Sequence, residues 1–121
     1  MNGKGVFYYP DSNRYEGHFE NNKLNGQGVF YYQSGKLKGS KYVGEFRNNK
    51  LSGYGILYYA NGNIYDGEWK KNEKHGKGIF QFSNGAVYKG EFKNNKFHGY
   101  GKFTYSNGMI IEGKWKNNKP Q

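Results

Sequence analysis

A tyrosine, a glycine two places on and a second aromatic two places after that recur through almost the whole 121-residue chain. They stand as Tyr15-Gly17-Phe19, Tyr42-Gly44-Phe46, Tyr65-Gly67-Trp69 and Tyr88-Gly90-Phe92, with a degenerate fifth copy, Ile111-Gly113-Trp115. Seven residues after the second aromatic of each full copy comes a Gly-x-Gly: Gly26/Gly28, Gly53/Gly55, Gly76/Gly78 and Gly99/Gly101. Successive copies begin 27, 23, 23 and 23 residues apart. A unit copied with its spacing kept is the mark of a repeat protein, in which each unit buries its apolar face against its neighbours. Such arrays serve as binding surfaces more often than as catalysts.

Alternation within the unit fixes its type. In Arg14-Tyr15-Glu16-Gly17-His18-Phe19-Glu20 the tyrosine, glycine and phenylalanine share one side and the charged or polar groups the other, a period of two that predicts a strand with one sheltered face. The following run predicts a second strand with Gly26, Gly28, Phe30 and Tyr32 on that same face, and the pattern recurs in each unit. Most of the 24 aromatics fall on it. Glycine weakens a strand interior, but a lone sheet has no second layer to cover its rings. Rings lying flat on neighbouring strands need positions without side chains, and Gly17, Gly28 and their equivalents supply them. Phosphate cradling is disfavoured, because no loop-to-helix context accompanies these glycines.

Short connections complete the expectation. Strands within a unit are joined by Asn21-Asn22-Lys23-Leu24-Asn25 and its copies. Units are joined at Asn61-Gly62, Asn84-Gly85 and Asn107-Gly108, read as tight turns because both residues tolerate positive φ. Four extra residues around Lys38-Gly39-Ser40-Lys41 lengthen one loop. The prediction is an all-β, single-layer, twisted antiparallel ribbon of hairpins with about ten strands, roughly 45 Å long at ~4.8 Å per strand. It forms a single domain over 1–121: a half unit at 3–14, repeats at 15–41, 42–64, 65–87 and 88–110, and a partial terminal unit at 111–121. Unpaired strands at both ends invite end-to-end self-association or capping by another protein, with Pro120 blunting one edge.

The totals bound the function. A hydrophobic share of 34% and a mean hydropathy of −1.11 would ordinarily argue against a packed core; strict placement of the aromatics argues for one. Absence of cysteine removes disulfides and thiolate chemistry. No apolar run suits a signal peptide or membrane helix, so the chain reads as cytoplasmic. A net charge of +10 favours acidic partners, an acidic protein surface or anionic lipid, and also aids solubility.

The pattern Tyr-x-Gly-x-(Trp/Phe), a short polar loop and Gly-x-Gly, clearest in Tyr65-Asp66-Gly67-Glu68-Trp69 with Gly76-Lys77-Gly78 and Gly85, resembles the MORN repeat over essentially all of residues 3–119. Ile111 for tyrosine and Ser12 at the Gly85 position depart from it. Choline-binding repeats of bacterial surface proteins have similar hairpins but lack this register. The resemblance implies a hairpin array without activity of its own. Such arrays serve as scaffolds in cilia and parasite cytoskeletons, as myosin-tail binders, in membrane-junction proteins, and as appendages to enzymes.

Candidate chemistry is sparse. Glu45, Glu68 and Glu91 repeat on the face opposite the rings, expected as a solvated ladder interleaved with lysines. His75 and His98, two strands apart, stand ~9.5 Å from each other, too far to share a zinc ion. No catalytic, metal or cofactor site is expected. Lys23, Lys50, Lys96 and Lys119 recur in the turns, with Arg47, Lys70 and Lys93 beginning them, and together predict a basic border for an acidic partner or anionic membrane. Nucleic acid is disfavoured, because the rings are spent on glycines. On the ring face Tyr32, Tyr59, Trp69, Phe82 and Tyr105 are the candidate partner contacts, Tyr59, Phe82 and Tyr105 foremost. The expected function is a non-enzymatic protein-binding scaffold, a subunit of a ciliary, axonemal or other cytoskeletal assembly. The alternative is peripheral binding to anionic or phosphoinositide membranes through the lysine edge.

Overall fold

The structure, a computed structural model, describes residues 2–121. Eleven strands follow in order: β1 (Gly3–Tyr8), β2 (Arg14–Glu20), β3 (Lys23–Tyr31), β4 (Lys41–Arg47), β5 (Lys50–Tyr58), β6 (Ile64–Lys70), β7 (Glu73–Gln81), β8 (Val87–Lys93), β9 (Lys96–Thr104), β10 (Ile110–Lys116) and the two-residue β11 (Lys119–Pro120). Each pairs antiparallel with its neighbour in sequence, giving one open sheet with no helix among the described residues. Pro120 does not end the pairing. It lies in β11 opposite Trp115, the short strand that exceeds the ten expected.

The connections differ from expectation in an instructive way. Within a unit the turn is only two residues long: Asn48 and Asn49, for instance, at φ 49° and 69°, join β4 to β5. Two successive left-handed residues match the twist of a tight hairpin, and asparagine tolerates that region. The segment Lys23–Asn25 and its copies, read as loop, therefore already belongs to strand. At the Asn-Gly connections between units only the glycine is left-handed, and Ser12 takes that conformation in the first connection. Gly62, at φ 95°, ends a turn in which its N–H donates to the Tyr59 carbonyl at 3.0 Å, while Tyr59 N–H donates to Asn63 O at 2.9 Å. Asn-Gly thus marks the end of a longer turn, whereas Asn-Asn makes the two-residue one.

Moving those residues into strand forces a bulge. In β4–β5 the register runs Gly44 opposite Gly55, then Phe46 opposite Leu51, so β5 spends two more residues than its partner. The same shift occurs at Gly17/Phe19, Gly67/Trp69 and Gly90/Phe92. Gly53, at φ 84°, absorbs it. The two glycines of each Gly-x-Gly consequently have different causes: the first supplies backbone freedom and the second supplies space. Gly26 and its copies accordingly sit in the bulge and do not form part of the flat ring platform.

The space is filled by tyrosine. Tyr15, Tyr42, Tyr65 and Tyr88 are fully buried, and a Cβ at Gly28, Gly55, Gly78 or Gly101 would collide with the phenol end of the matching tyrosine. Each phenol donates to the carbonyl three residues on, Tyr42 to Glu45 at 2.9 Å and Tyr65 to Glu68 at 2.8 Å, so its polar end is satisfied. Each ring meets two others edge-on, one from its own unit and one from the next. Tyr42 touches Phe46 at 5.1 Å and Trp69 at 5.5 Å; Tyr65 touches Trp69 at 5.0 Å and Phe92 at 4.9 Å. This geometry suits the ring quadrupole and couples unit to unit without a second layer.

Both long borders are stapled by side-chain oxygens. At the two-residue turns, Asn49 Oδ1 accepts from Leu24 N, Asn72 Oδ1 from Leu51 N, Asn95 Oδ1 from Lys74 N and Asn118 Oδ1 from Phe97 N, all at 2.8 Å. At the other border Asn63 Oδ1 accepts from Ser83 N at 2.8 Å, and Ser40 Oγ takes that place for Ala60 N at 3.1 Å. The longer loop before β4 also lays Leu37 onto the aromatic core.

Candidate partner-binding faces

The ring face is a groove whose floor and walls have separate jobs. Trp69 is 6% exposed and its indole N–H donates to Gly55 O at 3.1 Å, which places it in the floor. Tyr32, Tyr59 and Phe82 are half-buried and Tyr105 is exposed, so these four remain accessible along one wall. Burial holds the phenols of Tyr32 and Tyr59 at a pKa of about 12, keeping them neutral donors over the ordinary pH range. Two depressions follow each other along the groove. One of about 340 Å³ is bounded by Phe30, Tyr32, Leu37, Leu51 and Leu57. The next, of about 390 Å³, lies among Tyr59, Lys74, Phe82, Phe97, Asn95 and Asn118.

One position in this groove escaped the reading of the sequence. Leu24, Leu51, Lys74 and Phe97 are equivalent, each pairing with the second aromatic of its unit: Phe19, Phe46, Trp69 and Phe92. Assigned to loop, they could not be placed on a face. In the structure they close over the tyrosine ring from the side away from the glycine; Phe97 stacks on Tyr88 at 3.9 Å. The signal was present, since Leu, Leu and Phe at a fixed repeat position state a buried site. The bulge hid it, because counting twos through Gly26 and its copies supposes an unbroken strand.

Lys74 is the charged member of that set. Its ammonium lies 5.5–5.8 Å from the centres of Tyr59, Tyr65, Trp69 and Phe80, and donates to Tyr59 Oη at 2.8 Å. Burial lowers its pKa to about 8. The ring faces attract the charged form and offset part of that cost.

The opposite face carries the acids, and the expected solvated ladder is not what they form. Glu45 Oε2 accepts from Tyr54 N at 2.6 Å, Glu68 Oε1 from Lys77 N at 3.2 Å and Glu91 Oε2 from Tyr100 N at 2.8 Å. Each carboxylate thus closes over a bulge and satisfies the amide that the extra residues release. Tyr54 also donates its hydroxyl to Asp66. Tyr54 and Tyr100, at 50% and 62% exposure, stand at the two ends of a depression of about 600 Å³ floored by Ile79, Gly78 and Gly90. Among the described residues no group of three His, Cys, Asp or Glu is placed to hold a metal ion.

The basic residues lie on that same side. Phe46 opposite Leu51 is buried on the ring face, so the next pair, Arg47 opposite Lys50, projects the other way. Lys93 faces Lys96 and Lys116 faces Lys119 in the same manner, while Glu20 opposite Lys23 and Lys70 opposite Glu73 interrupt the strip. All are exposed. Arg47, Lys50, Ser52, Lys70 and Lys71 bound a basic recess of about 550 Å³. The ring groove and the lysine border are therefore two surfaces on opposite faces of one sheet.

No curated protein matches the chain. The family model described as the MORN repeat matches residues 1–14, 15–36, 42–64, 65–87, 88–110 and 112–121. Six matches spanning nearly the whole length, on a sheet whose register, bulges and buried tyrosines recur with the same period, leave one assignment: the chain belongs to the MORN repeat family.

Proposed function

We propose that this chain is a non-enzymatic protein-binding scaffold module whose ring groove receives a segment of a partner protein, within a cytoskeletal assembly such as that of a cilium or axoneme. MORN repeats are a repeat scaffold or binding module. The observation that carries the reading is the division of labour among the rings. Tyr15, Tyr42, Tyr65 and Tyr88 build the floor at no exposure, while Tyr32, Tyr59 and Phe82 line two consecutive depressions with surface left over and Tyr105 stands exposed beyond them. Aromatic walls around an apolar floor are the composition that anchors partner side chains. The cytoskeletal setting rests on the family alone. The test compares wild type with a folded Tyr59→Ala/Phe82→Ala double variant as bait in cytoskeletal extract. Expected is a defined set of proteins held by wild type and lost by the variant. Identical retention by both overturns the reading.

One observation favours a second reading, contact with anionic membrane through the other face. Cations stand directly opposite cations at Arg47/Lys50, Lys93/Lys96 and Lys116/Lys119, an arrangement that costs folding energy. An anionic surface would relieve that cost, each nearby basic residue contributing ~1 kcal/mol. Flotation with phosphatidylserine vesicles at low salt decides it. Equal flotation of wild type and a Lys23→Gln/Lys50→Gln/Lys96→Gln variant removes the idea.

A further inference from the structure

Lys74 has a structural substitute that three other units use, namely leucine at 24 and 51 and phenylalanine at 97. It is thus a charge in a slot built for an apolar side chain. An ammonium has three N–H donors. One is taken by Tyr59 Oη; no other hydrogen bond is made, and no carboxylate lies within ion-pairing distance among the described residues. The groups around it are also donors. The side-chain oxygens of Asn95 and Asn118 accept the Lys74 and Phe97 backbone N–H groups, which leaves their NH2 groups as donors, and neither donates a hydrogen bond among the described residues. All three side chains border the same 390 Å³ depression, together with Tyr59, Phe82 and Phe97. The site therefore offers several hydrogen-bond donors, one positive charge and an apolar surround, with no acidic group to satisfy it.

We infer that the partner segment bound in the ring groove carries an aspartate or glutamate that seats on Lys74 between the Asn95 and Asn118 amides, with apolar side chains flanking it. This rests on the groove reading above and narrows it. The carboxylate accepts from the ammonium and the amides. One flanking apolar side chain enters the depression around Phe82 and Phe97, and another reaches the neighbouring depression around Leu51 and Leu57, on the strand two from Lys74 and ~9.5 Å from it. Selectivity arises because a segment lacking the acid leaves a half-buried ammonium with Tyr59 Oη as its one acceptor and no counter-charge, whereas the Leu51 depression holds no charged side chain.

The test pans a phage-displayed library of random peptides on the full chain and on Lys74→Leu, a variant expected to fold because two units already hold leucine there. Wild type should enrich peptides with one Asp or Glu at a fixed place between apolar residues. Replacing that acid by its amide should weaken binding roughly tenfold or more to wild type and leave binding to Lys74→Leu unchanged. Peptides that need Tyr59 and Phe82 but show no fixed acid, or bind Lys74→Leu equally, overturn the inference and leave the groove reading standing. Failure to select any peptide sensitive to Tyr59→Ala/Phe82→Ala overturns both. Vesicles of phosphatidylserine serve as the other probe: flotation that depends on Lys74 would assign the site to lipid and overturn the proposal.

Discussion

The two faces of this sheet solve the same problem by different means. On the ring face, Tyr42 lies on Gly55, is closed over by Leu51 and is wedged between Phe46 and Trp69, so apolar area is hidden with no second layer. On the opposite face, Glu45 folds over the bulge at Gly53 and accepts the Tyr54 amide, and exposed Tyr54 and Tyr100 contribute nothing to a core. The first face holds the sheet together by packing. The second satisfies polar groups that the first face's geometry creates, since the bulge that brings Leu51 onto the rings also releases the amide that Glu45 accepts. A one-layer protein can therefore keep one surface for cohesion and leave the other free to carry charge.

The comparison is broken most severely at the ring-bearing glycines. Gly78→Ala drives a methyl against the buried Tyr65 phenol and should cost about 3 kcal/mol or more, read by denaturant unfolding. The same change at Gly108, left-handed but with open space around it, should cost only about 1 kcal/mol. Because Gly78 has no left-handed backbone to strain, a loss at Gly78 as small as that at Gly108 would mean that the Tyr65 ring moves aside and does not set the need for glycine.

Alkali provides the next largest effect. Burial raises Tyr15 and Tyr88 to a pKa of about 12 from an ordinary 10, and moves Tyr42 and Tyr65 the same way. A group with a raised folded pKa contributes stability that is complete below its unfolded value and lost as pH climbs toward the folded one. Each of these tyrosines should thus withdraw roughly 2 kcal/mol between pH 10 and 12. Unfolding midpoints should fall steeply across that window. A midpoint that stays flat to pH 12 would contradict a ring-built core.

Lys74→Leu sharpens the contrast between unit three and its neighbours. The lysine pKa is lowered to about 8 from 10.5, so the unfolded chain holds the proton more firmly and the penalty is complete below pH 8, fading as pH rises to 10.5. The variant should be more stable than wild type by about 2 kcal/mol at pH 7, with the gap nearly closed at pH 10, in paired thermal melts. The smallest effect belongs to the back: Glu68→Ala should cost about 1 kcal/mol, because one charged acceptor of the Lys77 amide is removed where water can partly replace it.

Most of the architecture was legible. Strict alternation around Tyr15, Tyr42, Tyr65 and Tyr88 specifies one sheltered face, and glycines at fixed offsets specify rings laid on backbone, as Gly55 beneath Tyr42 bears out. Asparagine pairs and Asn-Gly pairs marked the connections, though which pair makes the two-residue turn was read the wrong way round. The bulge was not legible. It depends on how many residues each strand spends between Gly44/Gly55 and Phe46/Leu51, a count shared by two segments that local pattern treats separately. Missing it sent Leu24, Leu51, Lys74 and Phe97 to loops and Glu45, Glu68 and Glu91 to open solvent.

What the sequence alone determined, then, is periodicity: the strand, the repeat, the ringed face and the glycine beneath each ring, all consequences of chemistry within a few residues. What only the tertiary structure decided is facing. It set the lysine border on the side away from the rings, put Lys74 among four aromatics, and aimed each carboxylate at a freed amide. The physical reason is that a side chain's direction in a sheet alternates residue by residue, so a single bulge reassigns everything beyond it. Where that bulge falls is settled by the pairing of two strands and by nothing within either one.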